Sequence, residues 1–403
     1  MGGLYDFLKR KLITGIDIGT TNIRLVVCEV ARGTGTPRVL AAITQTAHGL
    51  KNGYVTNAEE VTQSIRRAKN EAENNIGARI RSAHVAIGTL TLSSTVTIGT
   101  VATSRADSEI AEGDIIRAHQ DAENKIEGLA NMRIIQQIPL EYKVGGVTVL
   151  GHPLGMKGAG LETKVLFIHA LEQHIEDIIK AVEAANMSVD DVVPAPLAAG
   201  MILLTERKRS AGSMLVDIGA ETLTMSVYEN NLPIMVHTFN VGSHEITNTI
   251  ALAFKIPLEE SEKMKKEPRR SLYPQENVIE IIDAKISDFF RLIDKQLKKI
   301  NRSRLLPAGV VINGGGSRAG NVTTLAREIL ALPAEMAEPI AITAVDDGKS
   351  IKAELEPSWA IAYGLCIIGR ESTATTHVSG SLTRRIIGFI QQNARNLFRQ
   401  FLP

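Results

Sequence analysis

Two short patterns with phosphate-binding chemistry stand two hundred residues apart. Asp17-Ile18-Gly19 leads into Thr20, Thr21 and Asn22, and Asp217-Ile218-Gly219 leads into Ala220, Glu221 and Thr222. In both, an apolar β-rich run ends on an aspartate and then turns on glycine. A tight turn of this kind presents backbone N–H groups and hydroxyls with no bulky Cβ in the way, so it can cradle phosphate oxygens. The aspartates at the strand ends are hard oxygen donors that can hold Mg²⁺ directly or through water. A third glycine turn, Gly314-Gly315-Gly316, follows the strand-like run VVIN. One such turn is usually structural. Two in repeat-related positions with a third after a strand point to a bound phosphate group.

The elements around these turns repeat as well. KLITGIDIGTTNIRLVVCEV reads as a β-hairpin over Lys11–Val30, and SMLVDIGAETLTMSVYEN repeats it in the second half. A third strand is expected at Arg38–Thr46 and a helix at Ala58–Ile76, with Val61, Ile65, Ala68 and Ala72 on one face. An all-β run from Ser82, a polar helix from Ser108 to about Ala130, and a strand at Glu162–Ala170 follow. Next come the helix His174–Asn186, a short strand at Val189–Val193 and a helix from Leu197 to about Thr205. The run ERKRSAGS, Glu206–Ser213, reads as a boundary loop. Helices are expected at Ser243–Phe254, Asn277–Asn301 and Ser358–Gly369, and ESTATTHVSGSLT as a flexible linker.

At 403 residues, two domains are the natural expectation. A net charge of +1 gives no global field to recruit nucleic acid or membrane, so attraction to acidic surfaces has to be local. The only cysteines, Cys28 and Cys366, sit in apolar runs, which points to buried free thiols and a reducing cytoplasm. No apolar run is long enough to span a bilayer.

The arrangement resembles the actin-like ATPase superfamily, and within it the FtsA family of bacterial cell-division proteins. The resemblance rests on the two Asp-Ile-Gly turns, Gly314–Arg318, and several further segments. These are GLKNGYV before the first helix, Ile138-Pro139 with Glu141-Tyr142, HPLGMKGAGLETK, and SEKMK with Glu262 and Lys265. It implies an α/β, actin-like fold: two related domains flank a nucleotide cleft, with an inserted small α/β subdomain, 1C, and a C-terminal amphipathic helix. It implies ATP and Mg²⁺ as cofactors. Phosphate loops lie at Gly19–Asn22 and Gly219–Thr222, an adenosine loop at Gly314–Gly316 with Ser317 and Arg318, and Glu262 and Lys265 meet the ribose and base. The helices after Pro196 and at Ser358–Gly369 look like inter-domain connectors. The implied boundaries are a tail at 1–13, domain 1 at 14–205 with 1C at about 82–164, and domain 2 at 206–370 with 2B at about 241–305. A linker at 371–382 and the terminal helix at 383–403 complete the chain. Implied partners are the C-terminal peptide of the tubulin-like FtsZ, other copies of the chain, the membrane, and further division proteins through 1C.

Three departures qualify that expectation. In the second turn, Ala220 and Glu221 stand where many relatives carry glycines; Glu221 either turns to solvent or meets the metal. Pro194-Ala195-Pro196 has no side chain able to orient water, so weak or absent ATP turnover is expected. The segment between Lys265 and RRSLYP is short, which bears on the FtsZ site in 2B. Arg269, Arg270 and Lys285 are candidates for an acidic peptide or are solvated helix-face charges.

The last segment, Thr383–Pro403, has the clearest amphipathic pattern. Ile386, Ile387, Ile390, Ala394, Leu397, Phe398 and Phe401 share a sector of about 120° on a helical wheel. Arg384, Arg395 and Arg399 lie opposite, and no acidic residue occurs from Leu382 onward. Such a helix suits an interfacial membrane anchor, each arginine adding about 1 kcal/mol near anionic lipid. The alternative is a helix docked on its own domain. Two other functions fit parts of the pattern: a PilM-like actin homologue of type IV pilus assembly, and a sugar kinase or phosphatase of the same superfamily. No convincingly placed catalytic carboxylate supports the last.

Overall fold

The computed structural model describes residues 11–30, 37–268, 273–318, 320–346 and 349–374. They divide into two compact units. The first comprises the described parts of Met1–Leu92 and Gln173–Gly369. The second comprises Ser93–Glu172 with the described start of Arg370–Pro403.

The first unit contains the same sheet built twice. In one copy, the hairpin Lys11–Ile18 with Asn22–Val30 is extended antiparallel by Arg38–Thr46, while Ser82–Ile87 and Ser188–Pro194 add in parallel on the other side. In the other, Ser213–Ile218 with Leu223–Glu229 is extended antiparallel by Leu232–Phe239, while Val310–Asn313 and Ala334–Met336 add in parallel. Strand order and sense are identical. The repeat seen in two short patterns therefore extends to whole five-strand sheets.

Local chemistry explains the helices that cover them. Ala58–Ile76 starts where the Asn57 side chain accepts from the N–H groups of Glu59 and Glu60, and stops at Gly77 with φ 65°. Its buried stripe includes Val61, Ile65, Ala68 and Ala72, the face expected from periodicity. The long helix Gln275–Lys299 buries Ile282, Ile286, Phe289, Phe290, Ile293 and Leu297 in the core of the second sheet. Ser243–Phe254 has the expected bounds.

Two helices reach across the first unit. Ala195–Leu203 packs on the second sheet, where a Cβ at Gly200 would stand 2.1 Å from the Tyr228 hydroxyl. Ala360–Ala374 packs on the first sheet, where a Cβ at Gly15 would stand 2.1 Å from the carbonyl oxygen of Ala362. The two helices also touch each other: a Cβ at Gly364 would lie 2.2 Å from the carbonyl oxygen of Ala198. Glycine is needed here for backbone approach rather than for an unusual φ.

Several boundaries shift. Ser82–Ile87 pairs within the first sheet, so the inserted unit begins at Ser93 rather than near 82, and it runs to Glu172 because all of Gly160–Leu171 pairs inside it. The ERKRSAGS segment is helical over Glu206–Ala211, capped by Thr205 and held by Arg209, which donates to the Gly200 and Leu204 carbonyls and to Asn231. The hairpin Ile340–Asp346 with Lys349–Leu355, expected in domain 2, joins the first sheet through Thr343 and Ala344 beside Arg38 and Val39. The last helix continues to Ala374, past the expected start of the linker. The polar helix shortens to Glu112–Asn124, since Ser108 takes a left-handed φ of 57° before it.

The inserted unit is a sheet ordered Ser93–Ala102, Gly160–Leu171, Met132–Val144, Val147–Val149, with the helix Glu112–Asn124 packed on it. The Ile138-Pro139-x-Glu141-Tyr142 segment lies on its longest strand, and buried Tyr142 shares a hydrogen bond of 3.0 Å with His119 Nε2. Burial, with His152 adding, holds His119 down to about 4, against 6.5 for a free imidazole. Between those values the unfolded chain takes up a proton that the folded unit refuses. This contribution to stability is therefore complete above pH 6.5 and shrinks as pH falls toward 4. Thermal unfolding at pH 7.5 and 5.5 should reveal a loss of about 1 kcal/mol from this group. His119→Gln should flatten the pH dependence by that amount, and an unchanged slope in the variant would contradict the assignment.

Candidate functional site

The duplicated hairpins give the two turns the same construction. Asp17 pairs with Arg24 and Ile18 with Ile23, and the Gly19 N–H donates to the Asn22 carbonyl at 3.1 Å. Asp217 pairs with Thr224 and Ile218 with Leu223, and the Gly219 N–H donates to the Thr222 carbonyl at 2.9 Å. Each turn thus closes on itself through one bond. In the first, the Thr21 hydroxyl accepts from Asn22 Nδ2, and the Thr21 carbonyl accepts from the Ala47 N–H.

Elements of the second half converge on the second turn around Ser243. Its N–H donates to the Gly219 carbonyl and the neighbouring His244 N–H donates to that of Ala220, so the start of the helix Ser243–Phe254 is fixed to the turn. Lys265 Nζ donates to the Ser243 carbonyl at 3.1 Å and to the Thr247 hydroxyl at 2.9 Å, and pairs with Glu262 at 2.7 Å. Burial lowers the Lys265 pKa. For Glu262, burial pushes the other way but the hydrogen bonds from Lys265 and Thr247 prevail, leaving it below the ordinary carboxylate value. The third glycine turn completes the cluster. Gly314 has φ 94°, and a Cβ there would lie 2.4 Å from the Ile218 carbonyl; a Cβ on Gly316 would lie 2.9 Å from that of Ser243. The Ser317 hydroxyl donates to the Gly314 carbonyl. Gly315, Gly316, Ser317 and Arg318 form a single 3₁₀ turn.

The two aspartates share an electrostatic environment. Asp17 is pushed up to about 6 by burial, with Arg24 opposing and Asp217 adding to the rise. Asp217 is also raised by burial, against the hydrogen bond from Asn313 Nδ2 at 2.6 Å and the charge of Arg24. Two desolvated carboxylates that repel each other make a donor pair that a hard divalent cation would relieve. Among the described residues no cluster of three or more metal-ligating side chains occurs, so a cation here would take its other ligands from phosphate and water.

Glu221 has a partner that its sequence context did not suggest. Its carboxylate accepts the backbone N–H of Asn52, from the other half of the unit, and lies 3.8 Å from His244 Nδ1. Asn52, Asn313 and Ser243 were not singled out in the sequence. Asn52-Gly53 carried a usable signal, since that dipeptide favours a two-residue hairpin turn. Ala195 is buried against Ala86, Val193, Ala198 and Leu365, with no polar group on its side chain. Lys285 lies half-exposed on Gln275–Lys299. Arg269, Arg270 and all of 383–403, with Arg384, Ile386, Ile387, Ile390, Arg395, Leu397, Phe398, Arg399 and Phe401, fall outside the described residues.

Residues 214–364 match a family model described as cell division protein FtsA, and residues 91–169 match the SHS2 domain inserted in FtsA. The second range coincides closely with the inserted unit. Both matches are to FtsA, and the FtsA family is what the chain is similar to along most of its length. The chain is 29% identical to the FtsA of Pseudomonas aeruginosa over 397 residues, covering 92% of this chain and 93% of that one. It is 25% identical to that of Escherichia coli K12, covering 92% of each. Among solved structures, a PilM–PilN type IV pilus biogenesis complex superposes with TM-score 0.66 at 18% identity, covering 89% of this chain and 98% of that one. MreB5 of Spiroplasma citri bound to ADP superposes with TM-score 0.53 at 10% identity, covering 92% and 99%. At such identities these two likenesses speak for the actin-like fold alone.

The close packing behind the second turn can be tested directly. Gly314→Ala must accommodate a Cβ against the Ile218 carbonyl at a left-handed φ, and should cost about 1–3 kcal/mol. Denaturant unfolding of the two proteins measures it; equal stabilities would remove the constraint.

Proposed function

We propose that this FtsA-like chain binds ATP with Mg²⁺ between its two Asp-Ile-Gly turns, polymerises on the inner face of the cytoplasmic membrane, and tethers the FtsZ ring there. One observation supports nucleotide binding above the rest: two turns of identical construction, each behind a desolvated aspartate, with Asp217 close enough to Asp17 to add to the rise of its pKa. An actin-like neighbour with the same fold holds ADP.

In this reading, Gly19–Asn22 and Gly219–Thr222 hold the phosphates through N–H groups and hydroxyls, while Asp17 and Asp217 hold the Mg²⁺. The cation supplies charge neutralisation for the polyphosphate. The 3₁₀ turn Gly315–Arg318 and the Glu262–Lys265 pair, both tied to Ser243, shape the adenosine side. With only Ala195 where water would be oriented, nucleotide acts chiefly as an assembly ligand and turnover is slow.

Membrane attachment rests on the terminal amphipathic pattern at 383–403. A single such helix binds reversibly, so firm attachment comes from many copies aligned in a polymer. The FtsZ C-terminal peptide would meet the basic residues Arg269, Arg270 and Lys285, and other division proteins would meet the inserted unit.

Nucleotide binding is tested by thermal unfolding with Mg·ATP. At a hundredfold excess over Kd the wild type should gain roughly 2.7 kcal/mol, and Asp217→Asn should lose most of it. Equal gains in both, or none in the wild type, would count against the site. For the anchor, co-sedimentation with anionic liposomes should fall to background once residues 383–403 are removed; retained binding would sink that part of the proposal.

A further inference from the structure

The segment Leu50–Val55 is a small hairpin that projects from the first half of the first unit. Lys51 pairs with Tyr54 across the turn Asn52-Gly53, and both turn residues are left-handed, with φ 50° and 76°. That is the geometry of a type I′ turn, which Asn-Gly suits best. Its base is fixed, since the Gly49 carbonyl accepts from the N–H groups of Thr56 and Asn57, and Asn57 caps the following helix.

Three consecutive residues of this hairpin make three different long-range contacts. The Asn52 N–H donates to the Glu221 carboxylate on the second phosphate turn. Gly53 lies against the chain at Gly88-Thr89, where a Cβ on residue 53 would be 3.1 Å from the Thr89 Cα. The Tyr54 ring packs on that of His174, with centroids 3.8 Å apart, and its hydroxyl is hydrogen-bonded by Thr91. Thr89–Thr91 lie just before Ser93 and His174 lies just after Glu172. The hairpin therefore touches both chain segments through which the inserted unit is attached, while its tip touches the second Asp-Ile-Gly turn.

We propose that the hairpin Leu50–Val55 couples occupancy of the second phosphate turn to the order of the two segments that carry the inserted unit. The proposal rests on the reading that this turn takes phosphate. A polyphosphate held by the N–H groups of Ala220–Thr222 brings negative charge beside the Glu221 carboxylate. Like charges repel, so the bound state favours release of Glu221 from Asn52. With its tip released, the hairpin loses one of its three holds, and the packing of Gly53 on Thr89 and of Tyr54 on His174 loosens. The ligand discriminates between the clasped and released states, as a coupling requires. By linkage, loosening the hairpin must in turn favour the ligand. Glu221 is here a positioning residue that acts through Asn52.

Hydrogen exchange on the full chain, read by mass spectrometry, tests this in two arms. Without nucleotide, Glu221→Ala should speed exchange at Asn52–Val55, Thr89–Leu92 and His174–Ile178 by about tenfold, leaving the strand Ser213–Ile218 unchanged. With saturating Mg·ATP, the wild type should show faster exchange in the same three segments. Tyr54→Ala, which cuts the hold on His174 far from the phosphates, should abolish the ATP-dependent change at His174–Ile178. It should also bind a fluorescent ATP analogue more tightly than wild type, by about fivefold. Unchanged exchange at Thr89–Leu92 in the Glu221→Ala protein overturns the proposal. So does an ATP response at His174–Ile178 that survives Tyr54→Ala. If the wild type binds no nucleotide, the functional reading of the turn falls, and the nucleotide-free arm still decides whether the hairpin joins the two places.

Discussion

The arrangement turns on the burial of two carboxylates near each other. Asp17 and Asp217 end equivalent strands in duplicated sheets, and each is held in surroundings that disfavour its charge. A protein that only needed to fold would place asparagine or serine there, as Asn313 already does beside Asp217. Keeping both acids imposes a standing cost that a bound divalent cation would relieve. Much of the surrounding structure can be read as support for that pair. Arg24 lies across the ladder from Asp17, Asn313 donates to Asp217, and the glycine at 314 lets a third turn approach the strand end without a side chain between them.

Duplication explains why the support differs between the copies. The first turn is tied mainly to its own hairpin and to Ala47. The second is the meeting point of a helix start, a 3₁₀ turn and a buried lysine, all linked through Ser243. Copies with the same ladder geometry have diverged in what is attached to them. The first carries the inserted unit between its fourth and fifth strands, Ser82–Ile87 and Ser188–Pro194, whereas the second carries the three helices Ser243–Phe254, Leu258–Lys266 and Gln275–Lys299 between its third and fourth. The turn richest in tertiary ties is also the one carrying Glu221, whose bond to Asn52 joins it to the other half of the unit.

What the sequence disclosed follows from the range of the forces involved. The hairpins at Lys11–Val30 and Ser213–Glu229 and the helices Ala58–Ile76 and Ser243–Phe254 are specified locally, by alternation, an Asn57 cap and a 3.6-residue stripe, and all were legible. The sheet joined by Ile340–Leu355 was not. Two residues, Thr343 and Ala344, make that choice by pairing with a strand three hundred positions earlier, and no local pattern encodes it. Ser82–Ile87 was misplaced for the same reason, since an apolar run of six does not reveal its partner. At the site, the aspartates and glycines could be read from type and spacing. The partner of Glu221 could not, because a backbone N–H has no signature in sequence.

The contact between Gly364 and Ala198 has a mechanical consequence. Ala360–Ala374 lies on the first sheet and Ala195–Leu203 touches both, and the two backbones meet at Gly364, where any larger residue would force them apart. Two stiff rods whose backbones meet at a glycine can turn about that contact more easily than a bulky interdigitated pair could. A small rotation there would shift the elements packed on one helix relative to those packed on the other. A single missing side chain would thereby let two tightly packed helices adjust without parting.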